Sequence, residues 1–67
     1  MSIQLLQRAI SYMEAHICET MDYADAANYV SMSSYNFHRM FSFVAGMTAS
    51  EYVRKRRLTL AALELQE

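Results

Sequence analysis

The chain has 67 residues, a formal net charge of −1, one glycine, one cysteine and no proline. A core of this size leaves only a marginal surplus over the entropy cost of folding, so two domains are excluded. The near absence of glycine and proline favours helix almost throughout, and we expect an all-α bundle of four helices. Because Cys18 is alone, an intrachain disulfide and the four-cysteine and Cys2His2 zinc sites are excluded. No run of about 18 apolar residues is present, so we expect a soluble, cytoplasmic protein with no membrane contact.

The first two predicted helices span about residues 2–17 and 23–30. Apolar residues recur in the first at alternating spacings of three and four, which places them on one stripe of a helix that Ser2 could cap. These residues are Ile3, Leu6, Ile10, Met13 and Ile17. Asp22 is well placed to cap the second helix, because its carboxylate can accept the free N–H groups of the first turn. The inner face of this short helix comprises Ala26, Ala27 and Val30.

A turn over residues 31–33 leads to a third predicted helix, at about residues 34–45, and a fourth follows at about residues 49–66. Ser33 can cap the third helix, and Gly46 can end it in the left-handed conformation. Thr48 and Glu51 match the capping box that opens a helix. The apolar residues of the fourth helix, which we expect to make core contacts, are Tyr52, Val53, Leu58, Ala61, Ala62 and Leu65.

Charge is unevenly distributed along the chain. Residues 1–30 contain four carboxylates and one arginine, whereas residues 31–57 contain five cations and one carboxylate. Four of these cations are consecutive, at residues 54–57. This asymmetry suggests one face that attracts phosphates, although such a run is more often a solvated helix face with some members turned inward.

The second and third predicted helices, joined by a tight turn, form a helix-turn-helix arrangement. At about 100° per residue, the apolar residues Phe37, Met40, Phe41 and Val44 of the third helix fall on one arc. The opposite arc carries Ser34, Tyr35, His38, Arg39 and Ser42. Arg39 can donate a bidentate fork to guanine, His38 can donate or accept, and the Tyr35 ring can lie against a thymine methyl. A polar outer face is also the default for any soluble helix, so composition alone leaves function open.

An ordered set of residues in the chain resembles the AraC-type DNA-binding domain of bacterial transcription regulators, over about residues 8–67. The matching residues are Ala27, Ser33, Phe37, Arg39, Phe41, Gly46, Thr48, Tyr52, Arg57, Leu58 and Ala61. The resemblance implies a fold of two helix-turn-helix units joined by a long linker helix, each unit placing a recognition helix in the major groove of double-stranded DNA. The third helix would then be the recognition helix and the fourth the linker. The resemblance implies base reading by Tyr35, His38 and Arg39, and the phosphate contacts that we expect are Ser33, Ser34, Ser42, Arg54 and Lys55.

The chain departs from the family pattern at three places. It stops where the family continues into a second helix-turn-helix unit, so we interpret it as a fragment that lacks that unit and an effector domain. Ser42 and Phe43 stand where the family often has lysines, which removes phosphate-contacting charge. Ser31 replaces a glycine that is common at the turn, and a left-handed residue with a Cβ costs about 1 to 2 kcal/mol.

The sequence also bears on two other classes of function. An enzyme has little support, because His16 and Cys18 diverge on a helix and no acid–base pair, phosphate loop or metal-ligand cluster is present; we expect no cofactor and no metal. The main alternative is a helical protein-interaction module in which exposed aromatic and methionine side chains contact a partner such as RNA polymerase or the missing half. Its candidate contacts are Tyr35, Phe43, Met32 and Met47.

Overall fold

The computed structural model describes residues 3–65, which form four helices. These are α1 (Ile3–Ala15), α2 (Tyr23–Tyr29), α3 (Ser34–Ala45) and α4 (Ala49–Leu65). The all-α, helix-turn-helix fold class is therefore confirmed. The predicted cap Ser2 and the predicted end of the fourth helix at residue 66 lie outside the described residues. Across residues 3–65, no helix combines the length and the apolar character that a membrane crossing requires.

Two polar side chains mark the starts of α2 and α3, as predicted. Asp22 Oδ1 accepts the backbone N–H groups of Ala24 at 2.9 Å and of Asp25 at 3.3 Å. Ser33 Oγ accepts the N–H of Asn36 at 3.2 Å. Each cap satisfies first-turn donors that have no partner within the helix, so both helices begin at residues that the sequence specifies.

The short connection between α3 and α4 contains a stop signal and a start signal. Gly46 has φ +75° and its N–H donates to the carbonyl of Ser42 at 3.0 Å, which ends α3 in the left-handed conformation. The Glu51 N–H donates to Thr48 Oγ1, and the Thr48 N–H donates to Glu51 Oε1, both at 3.1 Å. This reciprocal pair is the predicted capping box, and it fixes the direction in which α4 leaves the turn.

The turn between α2 and α3 depends on a left-handed serine. Ser31 has φ +60°, which is the conformation expected for a residue that replaces glycine here. The reversal brings the N–H of Met32 to the carbonyl of Ala27, at 2.9 Å. The turn therefore keeps the geometry of a glycine-containing turn, and the serine bears the backbone strain.

α1 is shorter than predicted. It ends at Ala15, whereas the apolar periodicity predicted an end at about residue 17. The N–H of His16 bonds to the carbonyl of Met13, and that of Ile17 to that of Glu14, so the chain tightens into bonds to the third preceding residue. Ile17 remains buried because this tighter turn still directs its side chain to the core. α2 likewise ends one residue early, at Tyr29.

The core is built mainly by α1, α2 and α3. Its buried members are Leu6, Ala9, Met13, Ile17, Ala26, Ala27, Val30, Phe37, Met40, Phe41, Ala49 and Val53. α4 contributes only Ala49 and Val53, both near its start. The prediction that its later apolar residues make core contacts is wrong: Leu58, Ala61, Ala62 and Leu65 are exposed. In its second half only Leu60 is partly buried against the core, while Arg57 contacts the segment that follows α1.

Candidate nucleic-acid interface

The rotational setting of α3 determines which side chains face outward. Phe37, Met40 and Phe41 are fully buried and lie on one arc of the helix. Ala26 and Ala27 of α2 are also buried, and their small side chains let the two helices approach closely. Because a helix turns by about 100° per residue, burying this arc directs the opposite one into solvent. The exposed residues of that outward face are Ser34, Tyr35, Asn36, His38, Arg39, Ser42 and Phe43.

Tyr35 and Arg39 stand together at the centre of the outward face. Tyr35 is 70% exposed, and the Arg39 guanidinium carbon lies 5.7 Å from the centre of its ring. This is a cation–π contact between residues four apart, which restricts the rotamers that the guanidinium can occupy. Two groups able to contact base edges are therefore held side by side before any ligand binds.

His38 lies at the boundary between α2 and α3. Its ring centre is 5.6 Å from that of Tyr23 at the start of α2 and 5.4 Å from that of Phe37 in the core. One side of the imidazole is thus packed against protein, while the residue as a whole remains exposed. His38 is less free to reorient than Tyr35 and Arg39, although all three predicted base-reading residues share one face.

The first turn of α3 presents donors to an anion. No acidic residue lies in this turn, and the partial positive charge of a helix N-terminus favours phosphate. Ser34 and Ser42 are exposed, as expected for phosphate contacts. Ser33 is exposed too, but its hydroxyl oxygen already accepts the N–H of Asn36, so only its hydroxyl hydrogen is available to a phosphate oxygen.

Arg56 of α4 pairs with Glu14 of α1. Its Nε donates to Glu14 Oε1 at 2.6 Å and its Nη2 to Oε2 at 3.3 Å, and the Tyr52 hydroxyl donates to Oε1 at 2.7 Å. The Arg56 hydrogen bond, followed by that of Tyr52, lowers the pKa of Glu14 below its usual value. Burial, followed by the hydrogen bond to Glu14, raises the pKa of Tyr52 to about 12. The three side chains connect α4 to α1.

Arg57 also contacts the α1 region. Its Nε donates to the carbonyl of Ile17 at 2.9 Å and its Nη2 to that of Glu19 at 2.5 Å. These carbonyls lie two and four residues beyond the end of α1, in the segment that leads to α2. Arg54, Lys55 and Arg57 are all exposed, but Arg57 differs from the other two in donating to these backbone carbonyls. The basic run is therefore divided, with two cations that hold the fold and two that face solvent.

Sequence reasoning missed the roles of Arg56 and Arg57 as links to α1. Their partners are about 40 residues away in the chain, and no local pattern signals such a pairing. It also left Asn36 and Phe43 out of the outward face. The angle of about 100° per residue was sufficient to place both there.

Several transcription regulators are similar to the chain over most of its length. The HTH-type transcriptional regulator YbfP of Bacillus subtilis is 38% identical over 60 residues, which is 90% of this chain and 20% of YbfP. The regulatory protein SoxS of Salmonella typhimurium is 36% identical over 63 residues, or 94% of this chain and 59% of SoxS. The TetD protein of transposon Tn10 in Escherichia coli is 32% identical over 62 residues, or 92% of this chain and 45% of TetD.

No family model matches the chain. No solved structure matches it significantly. The chain spans between about a fifth and three fifths of the length of these relatives, which are regulators and not enzymes. The HTH-type transcriptional activator AarP of Providencia stuartii is 27% identical over 62 residues, or 92% of this chain and 46% of AarP. The chain is therefore a homologue of the helix-turn-helix regulators of the AraC family.

Proposed function

We propose that the chain is a DNA-binding helix-turn-helix unit of a bacterial transcription regulator, and that α3 enters the major groove. The observation that carries the proposal is the outward face of α3, on which Tyr35 and Arg39 are held together in solvent by a helix whose opposite arc is the core. The sequence similarity to regulators supports it. Residues 1–67 would form a single helix-turn-helix subdomain, with α4 as its linker helix.

Base reading falls to Tyr35, His38 and Arg39. The planar Arg39 fork matches the O6 and N7 acceptors of guanine, and the Tyr35 ring beside it can contact a thymine methyl. His38 reaches the same groove with its unpacked edge. The phosphate contacts are Ser33, Ser34 and Ser42 from α3, with Arg54 and Lys55 from α4. These contacts set the register of α3 on the duplex but carry no base preference.

We propose that the protein acts in the cytoplasm. RNA polymerase is a second proposed partner, besides DNA. A surface that contacts polymerase must remain free when α3 is in the groove. Methionines Met32 and Met47 are partly buried against the core and so offer little area to such a partner. The exposed candidates of the interaction-module alternative, Tyr35 and Phe43, lie on the face of α3 that the proposal assigns to DNA, and the sequence similarity is to transcription regulators, so this alternative is the weaker one.

The test is a titration of the isotope-labelled 67-residue chain with a mixed-sequence 20-base-pair duplex, followed by NMR. One module offers about 600 to 1,000 Å² of contact, so we expect weak binding with little sequence preference beyond the few base pairs that α3 can reach. Amide shifts should change mainly in residues 33–43. Shift changes confined to α1, or none with an excess of duplex at low salt, would refute the proposal.

Salt dependence distinguishes phosphate contact from apolar contact. Lys55→Ala should weaken binding to every duplex and flatten the slope of log affinity against log salt by about 1. Arg8→Ala is the matched control, because it also removes one cation, but from α1, where Arg8 lies over the ring of Tyr29. Equal effects of the two variants would show that general charge, and not a docked face, attracts DNA.

A further inference from the structure

Phe43 is an exposed aromatic residue on the face that we propose reads DNA. It is 78% exposed, although a phenylalanine in a small domain is normally a core residue. The two other phenylalanines, Phe37 and Phe41, are fully buried on the opposite arc of the same helix. Phe43 therefore has no role in the core of the described residues.

The position of Phe43 continues a row along α3. Tyr35, Arg39 and Phe43 are spaced four residues apart, which places them on adjoining positions of one face. At 1.5 Å of rise per residue, Phe43 lies about 12 Å along the helix axis from Tyr35, which is several times the spacing of about 3.4 Å between neighbouring base pairs. A helix in the major groove would thus bring Phe43 to a different base pair from the one that Tyr35 contacts.

The charge around this row favours a polyanion. α3 contains no carboxylate, and Arg39 lies one turn from Phe43. Within a major groove the apolar group that protrudes from the base edges is the C5 methyl of thymine, and phenylalanine is suited to contact it. Because the same face cannot hold DNA and a protein at once, DNA is the occupant that the charge supports.

We infer that Phe43 is a specificity-determining residue that selects thymine, through its C5 methyl, at a different base pair from the one read by Tyr35. The inference rests on the proposed function and adds to it a second apolar reading position. It gives a role to a side chain that replaces the lysine often found here in the family. With phenylalanine in place of lysine, this end of α3 loses a contact to phosphate and gains a preference for one base.

The test uses the 67-residue chain and a random duplex pool, enriched by binding at low salt and sequenced. In the enriched duplex each thymine is then replaced, one at a time, by deoxyuridine, which removes only the C5 methyl. At one position the replacement should weaken binding about fourfold, the ratio expected for burying one methyl group. Phe43→Ala should bind both duplexes equally at that position, and Phe43→Leu should keep part of the preference.

Two further variants make the result specific. Tyr35→Ala should remove a methyl preference at a different thymine, and Ile3→Ala, which removes an exposed apolar side chain of α1, should remove none. If Phe43→Ala keeps every methyl preference of the parent, or if the parent has none, the inference is overturned while the proposed function stands. If the parent binds no duplex, both fail.

Discussion

Arg56 of α4 and Glu14 of α1 form an ion pair whose Nε and Oε1 atoms lie 2.6 Å apart. About a third of each side chain remains exposed, so the pair is neither buried nor fully screened by solvent. The Tyr52 hydroxyl donates to the same carboxylate oxygen. Since α4 buries only Ala49 and Val53 in the core, this polar contact adds a direct connection between α4 and α1.

The first prediction concerns the acid stability of this contact. The pKa of Glu14 is lower in the folded protein than in the unfolded chain, where it is about 4.3. Ionised Glu14 therefore stabilises the fold fully above the unfolded pKa, and this stabilisation is lost as pH falls through the lower folded pKa. Glu14→Gln should therefore reduce stability at pH 7 and show a shallower fall in melting temperature between pH 5 and pH 3. Thermal denaturation followed by circular dichroism measures both.

Two comparisons sharpen that experiment. Tyr52→Phe should give an intermediate pH dependence, because it removes one of the donors to Glu14 and leaves Arg56. Some pH dependence should persist in Glu14→Gln, since the backbone hydrogen bond from Thr48 also lowers the pKa of Glu51. Identical acid transitions in Glu14→Gln and the parent would mean that the ion pair does not stabilise the fold.

The second prediction concerns Arg57, which caps the backbone carbonyls of the segment that follows α1. Arg57→Ala should lower the free energy of unfolding by about 1 to 2 kcal/mol, in the lower range for charged hydrogen bonds because the residue is partly exposed. Lys55→Ala, two residues away on the exposed surface of α4, should change it by less than about 0.5 kcal/mol. Urea denaturation of both variants tests this, and equal values would argue against the capping role.

The helix ends could be predicted from the sequence because each depends on a few neighbouring residues. Asp22, Ser33 and Gly46 act within three or four positions of themselves, so their chemistry can be recognised without the fold. The outward face of α3 is predictable for the same reason, although the polar arc drawn from the sequence omits Asn36 and Phe43. The path of α4 was not, because an apolar pattern such as Leu58 and Leu65 does not reveal whether another helix lies opposite it.

The third prediction concerns the turn before α3. Ser31→Gly should stabilise the domain, because φ +60° is strained for serine and not for glycine. The gain should be about 0.5 to 1 kcal/mol, less than the full left-handed cost of about 1 to 2, since glycine also gains freedom in the unfolded chain. A melting temperature below that of the parent would contradict the expectation.

Gly46→Ala provides the opposite case. An added Cβ at Gly46 meets nothing within 4 Å, so the cost of the change comes from the backbone at φ +75° alone. We expect a loss of about 1 to 2 kcal/mol. Measured separately, Ser31→Gly and Gly46→Ala should therefore shift the unfolding midpoint in opposite directions. Shifts of the same sign would show that left-handed strain does not control either turn.

The last prediction compares two exposed arginines with different proposed roles on DNA. Arg39 is held over the Tyr35 ring on the outward face of α3, and Arg54 lies in the second turn of α4. Arg39→Ala should remove a bidentate fork and erase a preference worth about 1 to 3 kcal/mol at one base pair. Arg54→Ala should instead weaken binding to all duplexes similarly and reduce the salt slope by about 1.

Neither should unfold the domain, because both side chains are exposed, and circular dichroism checks this. Selection from a random duplex pool, repeated with each variant at several salt concentrations, measures both effects. If folded Arg39→Ala retains the complete base preference of the parent, α3 does not read DNA through Arg39, whatever the outcome for Arg54.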